Sequence, residues 1–169
     1  MNEPARVARM DVVIVNFNAR EHLRGCLAAV ETDDARAVVV VDASSSDGSA
    51  QMVSSNHPSV RLVEAPNLGY GALANRGIAE TDARYLLLLN SDAVLRPGSV
   101  RALAAYLDAV PRAGIAGPRL LNPDGRLQPT VERTYRLGRV VLGMARNMVE
   151  HCGGLSFRRV VDTMPWDAF

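Results

Sequence analysis

The stretch Arg84-Tyr-Leu-Leu-Leu-Leu-Asn-Ser-Asp92 joins a short apolar run to a polar end. The run at residues 85–89 is too short for a helix and is bounded by polar residues, so it predicts a strand buried on both faces. Asn90 and Asp92 then lie at the carboxyl end of that strand, where open α/β sheets have their ligand crevice. A carboxylate there can bind a divalent cation that bridges to phosphates. The alternative is a simple turn, because Asn, Ser and Asp side chains also bond their own backbone.

Two earlier apolar runs end in polar residues in the same way. Asp11-Val-Val-Ile-Val-Asn-Phe-Asn18 predicts a central strand with a loop from Asn16 to Asn18. Ala37-Val-Val-Val-Val-Asp42 predicts a second strand that ends in an acid. An unpaired aspartate beside four valines is costly to bury. Asp42 therefore either meets a hydrogen-bond donor in the crevice or bonds backbone N–H groups of its own serine-rich loop, and the segment leaves both alternatives open.

Helical spacing of apolar residues separates the predicted strands. The spacing predicts helices at residues 19–30, 72–79 and from Pro97 to Val110, with Ser46 and Asp47 as caps of a helix through Val53. Residues 60–64 and, more weakly, 114–117 predict further strands, and residues 122–125 predict a turn. The alternation predicts an α/β fold with a Rossmann-like, mostly parallel sheet and flanking helices. Asn16, Asp42 and Asp92 would meet at its carboxyl edge, which suits a nucleotide diphosphate.

Composition narrows the class of protein. The 169 residues fit one domain, and 19 basic against 18 acidic residues argue against a nucleic-acid partner. Cys26 and Cys152 lack metal-site spacing and fit reduced thiols in a cytoplasmic protein. The sequence starts without a signal-peptide pattern and contains no run of about 18 apolar residues, so we expect neither secretion nor a membrane span.

A basic segment follows Leu127. Arginines alternate there with apolar residues, which predicts a basic amphipathic helix. It fits a plain surface helix, a peripheral contact with an anionic membrane, or packing on a further part of the protein. The residues that carry the pattern are Arg133, Arg136, Arg139, Arg146, Leu137, Val140, Val141, Met144 and Met148.

Five motifs occur in order along the chain. They are Val13-Ile-Val-Asn-Phe-Asn18, Val40-Val-Asp-Ala-Ser-Ser-Ser-Asp-Gly-Ser49, Asn67-Leu-Gly-Tyr-Gly-Ala-Leu-Ala-Asn-Arg-Gly77, Leu87-Leu-Leu-Asn-Ser-Asp92 and Gly117-Pro-Arg-Leu-Leu-Asn-Pro-Asp-Gly125. In order and spacing they resemble family-two glycosyltransferases of the A-type fold, in particular the bacterial rhamnosyltransferase-like subgroup. The resemblance covers residues 10–130.

The resemblance implies roles for the crevice residues. Asp42 would contact the uracil or thymine ring, and the loop from Asn16 to Asn18 would line the base. Asp92 would hold manganese or magnesium on the diphosphate of the sugar donor. Asn75 and Arg76 match the segment beside the donor.

Three residues depart from the family pattern. Asn90 stands where the signature has a first acid, so Asp92 is its remaining carboxylate. Ala43 replaces the subgroup's usual asparagine, which removes an amide near the donor, and Ser91 replaces its usual proline.

The implied reaction moves a sugar, rhamnose by subgroup resemblance, from a dTDP- or UDP-sugar to a glycan or lipid-linked acceptor with inversion. It would serve cell-surface polysaccharide synthesis, in the cytoplasm or at the inner face of the membrane. Residues 10–130 would form the donor-binding domain, and 131–169 the basic segment and the start of an acceptor half, so we expect a C-terminally incomplete fold. No residue matches the family's catalytic base.

Two rival functions stay open from the sequence. A truncated, non-catalytic module that binds nucleotide sugars fits the same motifs. A dinucleotide-binding domain is suggested by Gly69-Tyr-Gly71-Ala-Leu-Ala74, with Asp92 about 20 residues further on. Residues 64–68 argue against it, because they separate the glycines from the strand that the fingerprint should follow directly.

Overall fold

The structure is a computed structural model that describes residues 10–128. Strands and helices alternate through this part of the chain. The elements are β1 (Met10–Asn16), α1 (Arg20–Glu31), β2 (Ala37–Asp42), α2 (Ser49–Asn56), β3 (Arg61–Glu64), α3 (Tyr70–Ile78), β4 (Tyr85–Asn90) and α4 (Ser99–Ala109). The predicted strands that begin near residues 11, 37, 60 and 85 are confirmed, as are the four predicted helices, with bounds that differ by up to three residues.

The four strands form one parallel sheet in the order β3-β2-β1-β4. In the register of this sheet Asn16 is paired with Asp42, and Val15 with Asn90. The carboxyl ends of β1, β2 and β4 therefore lie side by side, as predicted, because each crossover helix returns the chain so that the next strand runs in the same direction.

Hydrophobic clusters cover both faces of the sheet. Val12 and Ile14 of β1 belong to the larger cluster, which also contains Leu23 and Leu27 of α1. The intervening Val13 belongs to a second cluster with Leu73 of α3. Since strand side chains alternate between faces, β1 is buried on both of them.

Helix α3 lies very close to the sheet at Gly77. A Cβ atom built on Gly77 would lie 2.4 Å from Cγ1 of Val13 and 2.9 Å from Cγ2 of Val41. Both distances are far below van der Waals contact, so this position excludes any side chain. The glycine sets the distance between helix and sheet.

The prediction that β4 is buried on both faces is wrong. Leu87 and Leu89 are buried, whereas Leu88 between them is 44% exposed. The reason is strand order, because β4 lies at the edge of the described sheet. A run of four leucines does not distinguish an edge strand from a central one.

Two other predictions need correction. Residues 114–117 form no strand, and Ile115 is 92% exposed, since the segment pairs with no described strand. Helix α2 begins after Gly48, whose φ of 81° only glycine adopts easily, rather than after a Ser46 or Asp47 cap. Asp47 still accepts a hydrogen bond from the N–H of Ser49 in the first turn.

The chain divides into one compact unit through Pro118 and a second from Arg119. In the second unit, the predicted turn at residues 122–125 is confirmed within a small hairpin, where Leu121 and Leu127 form an antiparallel bridge. The predicted basic helix after Leu127 lies outside the described residues. No helix in residues 10–128 is long and apolar enough to cross a membrane.

Candidate functional site

A cleft opens at the carboxyl edge of the sheet, beside the ends of β1 and β4. Its volume is about 430 Å³. The loop after β1 contributes Phe17, the first turn of α1 contributes His22, the start of α3 contributes Tyr70, and the end of β4 contributes Asn90 and Asp92. The position is the one expected for the ligand crevice of an open α/β sheet.

Asp92 supplies the acidic group of the cleft. It follows β4 in a turn closed by a hydrogen bond from the N–H of Ala93 to the carbonyl of Asn90. The side chain is exposed, and the neighbouring Ser91 is 9% exposed. The predicted turn is thus confirmed, and it presents the Asp92 carboxylate to the cleft, while a metal at this carboxylate stays a prediction.

A buried thiol lies near this carboxylate. Cys26 is fully buried in α1, and its Sγ lies 3.7 Å from the carbonyl oxygen of Asn90. Burial, and after it the negative charge of Asp92, raise the pKa of Cys26 to about 12. The thiol therefore stays protonated near neutral pH and offers no thiolate ligand to a metal.

The cleft fits a divalent cation that is shared with a ligand. Within residues 10–128, no group of three or more His, Cys, Asp or Glu side chains is arranged to hold a metal ion on its own. Mg²⁺ commonly binds proteins through one or two carboxylates and completes its coordination with water and substrate phosphates. Asp92 matches that donor set, since it is an exposed carboxylate on the wall of an open cleft.

Asn16 and Asp42 lie below the surface, at the carboxyl ends of β1 and β2. Asp42 is 1% exposed, and its Oδ1 accepts hydrogen bonds of 2.8 Å from Asn16 Nδ2 and from Ser45 Oγ. Its Oδ2 accepts a further 2.8 Å bond from the N–H of Ser45. The carboxylate thus bonds its own serine-rich loop, which is one of the alternatives that the sequence left open.

Asn16 carries an unsatisfied acceptor. Its side chain is fully buried, and Oδ1 has no hydrogen-bond partner among the described residues. A buried acceptor without a donor costs about 1–3 kcal/mol. The carboxyl edge of the sheet therefore keeps free hydrogen-bonding capacity next to the Asp42 carboxylate.

Like Asn16 and Asp42, three further predicted site residues lie outside the wall of the cleft. Asn18 accepts a 2.8 Å hydrogen bond from the N–H of Ser46 and thereby joins two loops. Asn75 and Arg76 are exposed on α3, beyond the part of the helix that lines the cleft. Of the residues predicted from the sequence, the structure brings Asn90 and Asp92 together in the cleft, with Asn16 and Asp42 buried at the same edge.

Sequence reasoning missed the aromatic walls. Phe17 is 51% exposed and Tyr70 is 48% exposed, and both line the cleft. The sequence offered two signals. Phe17 lies between two asparagines at the end of a strand, and Tyr70 lies between two glycines at the start of a helix. Both interrupt loops where polar residues are usual, and large exposed rings commonly mark binding sites.

Comparison with solved structures shows where this fold recurs. TarS from S. aureus in complex with UDP superposes with a TM-score of 0.55 at 18% identity, over 70% of this chain and 43% of that one. The mannosyltransferase PcManGT from Pyrobaculum calidifontis, in complex with GDP-Man and Mn²⁺, gives a TM-score of 0.55 at 22% identity, over 59% of this chain and 32% of that one. At these identities the likeness shows the fold, and it confirms the predicted A-type glycosyltransferase architecture.

Sequence comparison extends the match. The N-acetylglucosaminyl-diphospho-decaprenol L-rhamnosyltransferase of Mycobacterium tuberculosis is 33% identical over 138 residues, which are 73% of this chain and 45% of the relative. The succinoglycan biosynthesis protein ExoO of Rhizobium meliloti is 32% identical over 134 residues, or 75% of this chain and 38% of that protein. The chain thus spans less than half the length of these relatives. The model of glycosyl transferase family 2 matches residues 11–162, and the chain belongs to that family.

Proposed function

We propose that the cleft binds the nucleotide diphosphate of a UDP- or dTDP-sugar, and that the chain takes part in transfer of the sugar to an acceptor hydroxyl. One observation carries the proposal, namely that an exposed carboxylate and two exposed aromatic rings share a single cleft at the carboxyl edge of a parallel sheet. Such a combination suits a ligand with a planar base at one end and phosphates at the other.

The aromatic rings suit the base. Alanine substitution of aromatic side chains that stack on nucleobases costs about 1–3 kcal/mol per base in proteins that bind single strands. Phe17 stands at the end of β1, next to the buried pair of Asn16 and Asp42. Support for a pyrimidine base comes from the structural neighbour TarS, which is solved in complex with UDP.

Asp92 suits the diphosphate end. It would hold Mn²⁺ or Mg²⁺, and the bound cation would supply Lewis-acid stabilisation of the leaving diphosphate. The amide of Asn90 at the same strand end offers hydrogen bonds to the sugar or the phosphates. The proposal for the metal gains support from the structural neighbour solved with GDP-Man and Mn²⁺.

In the proposed reaction the acceptor oxygen bonds to the anomeric carbon as the bond from that carbon to the diphosphate oxygen breaks, with inversion. The hydroxyl must lose its proton, and a positioned base typically contributes about 10²–10⁴ in rate. His22 and Asp92 line the cleft, and Asp92 is committed to the cation in this scheme. We assign no base among residues 10–128, because none of them matches the acidic residue that removes this proton in the family.

The identity of sugar and acceptor rests on the curated relatives. The mycobacterial relative is named as a rhamnosyltransferase that acts on N-acetylglucosaminyl-diphospho-decaprenol. By analogy we propose rhamnose as the sugar and a lipid-linked glycan as the acceptor, in cell-surface polysaccharide synthesis. Such an acceptor would bring the chain to the cytoplasmic face of a membrane.

Calorimetry with UDP, dTDP, GDP and NAD, each with and without Mn²⁺, tests the donor site. We expect UDP or dTDP to bind most tightly, and Mn²⁺ to strengthen that binding. Asp92→Asn should weaken binding in Mn²⁺ by at least about 10-fold, since loss of even an outer-shell partner of a metal costs about 10- to 100-fold, and it should not weaken metal-free binding. Asp34→Asn is the matched control, because Asp34 is an exposed acid outside the cleft.

Three results would contradict parts of the proposal. Equal or tighter binding of NAD would favour a dinucleotide site. An Asp92→Asn variant that responds to Mn²⁺ like the parent would remove the metal role. Donor binding without any sugar transfer to a lipid-linked glycan would favour the non-catalytic donor-binding module over an enzyme.

A further inference from the structure

We propose that Asp47 and Asn18 are positioning residues that hold one wall of the cleft ready for the donor. The inference rests on the proposed donor site and concerns the two loops next to it, which join β1 to α1 and β2 to α2. Neither side chain lines the cleft. Both would act through the residues between them.

Asp47 ties the first turns of two helices together. Its Oδ2 accepts a 2.8 Å hydrogen bond from the N–H of Arg20, the first residue of α1. Its Oδ1 accepts bonds from the N–H and the hydroxyl of Ser49, the first residue of α2, at 3.0 and 2.5 Å. A single carboxylate thereby satisfies N–H groups at both helix starts, which otherwise lack partners within their helices.

Asn18 makes the second tie between the loops. Its Oδ1 accepts a 2.8 Å hydrogen bond from the N–H of Ser46, and its own N–H donates to Ser45 Oγ at 2.9 Å. The backbone of Asn18 has a φ of 47°, in the left-handed region that asparagine tolerates better than most residues. The residue thus supplies both the turn and the bond that fixes it.

The segment held by these hydrogen bonds, residues 17–22, forms one wall of the cleft. Phe17 precedes Asn18, Ala19 lies between Asn18 and Arg20, and His22 follows two residues after Arg20, and all three line the cleft. Holding Asn18 and Arg20 to the second loop therefore fixes the backbone that carries the exposed ring of Phe17. Without the ties, only a fraction of the molecules would have this wall in place before the donor binds. The apparent affinity for the donor would then be the intrinsic affinity multiplied by that fraction.

The charge state of Asp47 favours the tie at neutral pH. The hydroxyl of Ser49, and then the backbone N–H groups of Arg20 and Ser49, hold the pKa of Asp47 below its usual value. The group is therefore ionised, and an ionised carboxylate only accepts hydrogen bonds. Both of its oxygens face the donors that the structure assigns to them.

Two variants test the two ties separately. Asp47→Asn replaces one of the two acceptor oxygens with an NH2 group, which cannot accept from Arg20 or Ser49. Asn18→Gly keeps the left-handed backbone and removes the acceptor for Ser46. The matched control is Asp33→Asn, because Asp33 Oδ2 likewise accepts from a helix start, the N–H of Val100 in α4, and lies outside the cleft.

The experiment measures UDP binding by calorimetry in Mn²⁺, together with amide hydrogen exchange. A capping bond of this type is worth about 0.5–2 kcal/mol, so we expect Asp47→Asn to weaken UDP binding by about 3- to 30-fold. Amides of residues 17–24 should exchange faster. Asn18→Gly should act in the same direction, whereas Asp33→Asn should keep the UDP affinity of the parent.

The outcomes distinguish this inference from the donor proposal. Faster exchange with unchanged UDP affinity in both variants would overturn the positioning role and leave the donor site intact. An equal loss of affinity in Asp33→Asn would also overturn it, because general destabilisation would then explain the effect. If the parent binds neither UDP nor dTDP, the donor proposal is wrong and the positioning role is lost with it.

Discussion

Asp11 and Asp92, at opposite ends of the sheet, have opposite environments. At the amino end, Asp11 is 1% exposed, and its two oxygens accept hydrogen bonds of 2.8 and 2.7 Å from the guanidinium of Arg36. Asp82 pairs with the same guanidinium. At the carboxyl end, Asp92 is exposed on the cleft wall and forms no ion pair with another described residue. The paired acids stabilise the fold, and the unpaired one is available to a ligand.

Helix α3 repeats this difference along its length. Its first turn lines the cleft with Tyr70, and its last turn packs on β1 and β2 at Gly77. A binding site requires surface that no other part of the fold covers, whereas the close-packed core at Gly77 has no room for one more methyl group. Substitutions at the two ends of α3, and of the sheet, should therefore affect different properties.

Gly77→Ala should produce the largest loss of stability. The new methyl group would overlap fully buried Val13 and Val41 and push α3 away from the sheet, at a cost of about 3 kcal/mol. Urea unfolding followed by circular dichroism measures the change. Gly71→Ala is the control, because a Cβ there meets nothing within 4 Å. It should stabilise α3 by about 0.5–1 kcal/mol, and equal losses in both variants would contradict close packing at Gly77.

The sequence was sufficient for the strands and helices because their apolar periodicities differ. Leu23, Cys26, Leu27 and Val30 repeat every three or four residues and are all buried in α1. Strand order was not readable in this way. The leucines of β4 look like those of a central strand, and only the pairing of β4 with β1 alone shows why Leu88 is exposed.

The candidate site was predictable to the same extent. The ends of apolar runs located Asn90 and Asp92, since parallel strands bring their carboxyl ends to one edge. The partners of Asp42 were not predictable, because they depend on how two loops fold against each other. The bond from Arg20 to Asp47 was not predictable for the same reason. In the sequence Asp47 looks like a cap of its own helix, but in the structure it accepts from the N–H of Arg20 in another helix.

Arg36→Gln should have an intermediate effect, confined to stability. It would leave Asp11 buried without its cationic partner, which is the costly way to break a buried pair. We therefore expect a lower urea midpoint than in the parent. The decrease should be smaller than for Gly77→Ala, because glutamine can still donate a hydrogen bond to Asp11. UDP affinity below the unfolding transition should stay at the parental value. A selective loss of UDP affinity would contradict the separation of the two ends.

The smallest expected effect is the pH dependence of the Asp47 tie. Hydrogen bonds from Ser49 and Arg20 lower the pKa of Asp47 from its ordinary value of 3.8. A carboxyl group whose pKa is lower in the folded than in the unfolded protein stabilises the fold above the unfolded value. That contribution is lost as the pH falls through the lower, folded value. The difference in unfolding free energy between the parent and Asp47→Asn should therefore be constant near neutral pH and decrease below about pH 4.

Urea midpoints of the two proteins at about pH 7 and about pH 3.5 measure that decrease. Asp82, whose pKa is also lowered, by its hydrogen bond and then its charge pairing with Arg36, is present in both proteins. Its contribution cancels in the difference, so the remaining pH dependence belongs to Asp47. A gap that stays constant or widens in acid would show that the Asp47 carboxylate does not depend on its charge to hold the two loops.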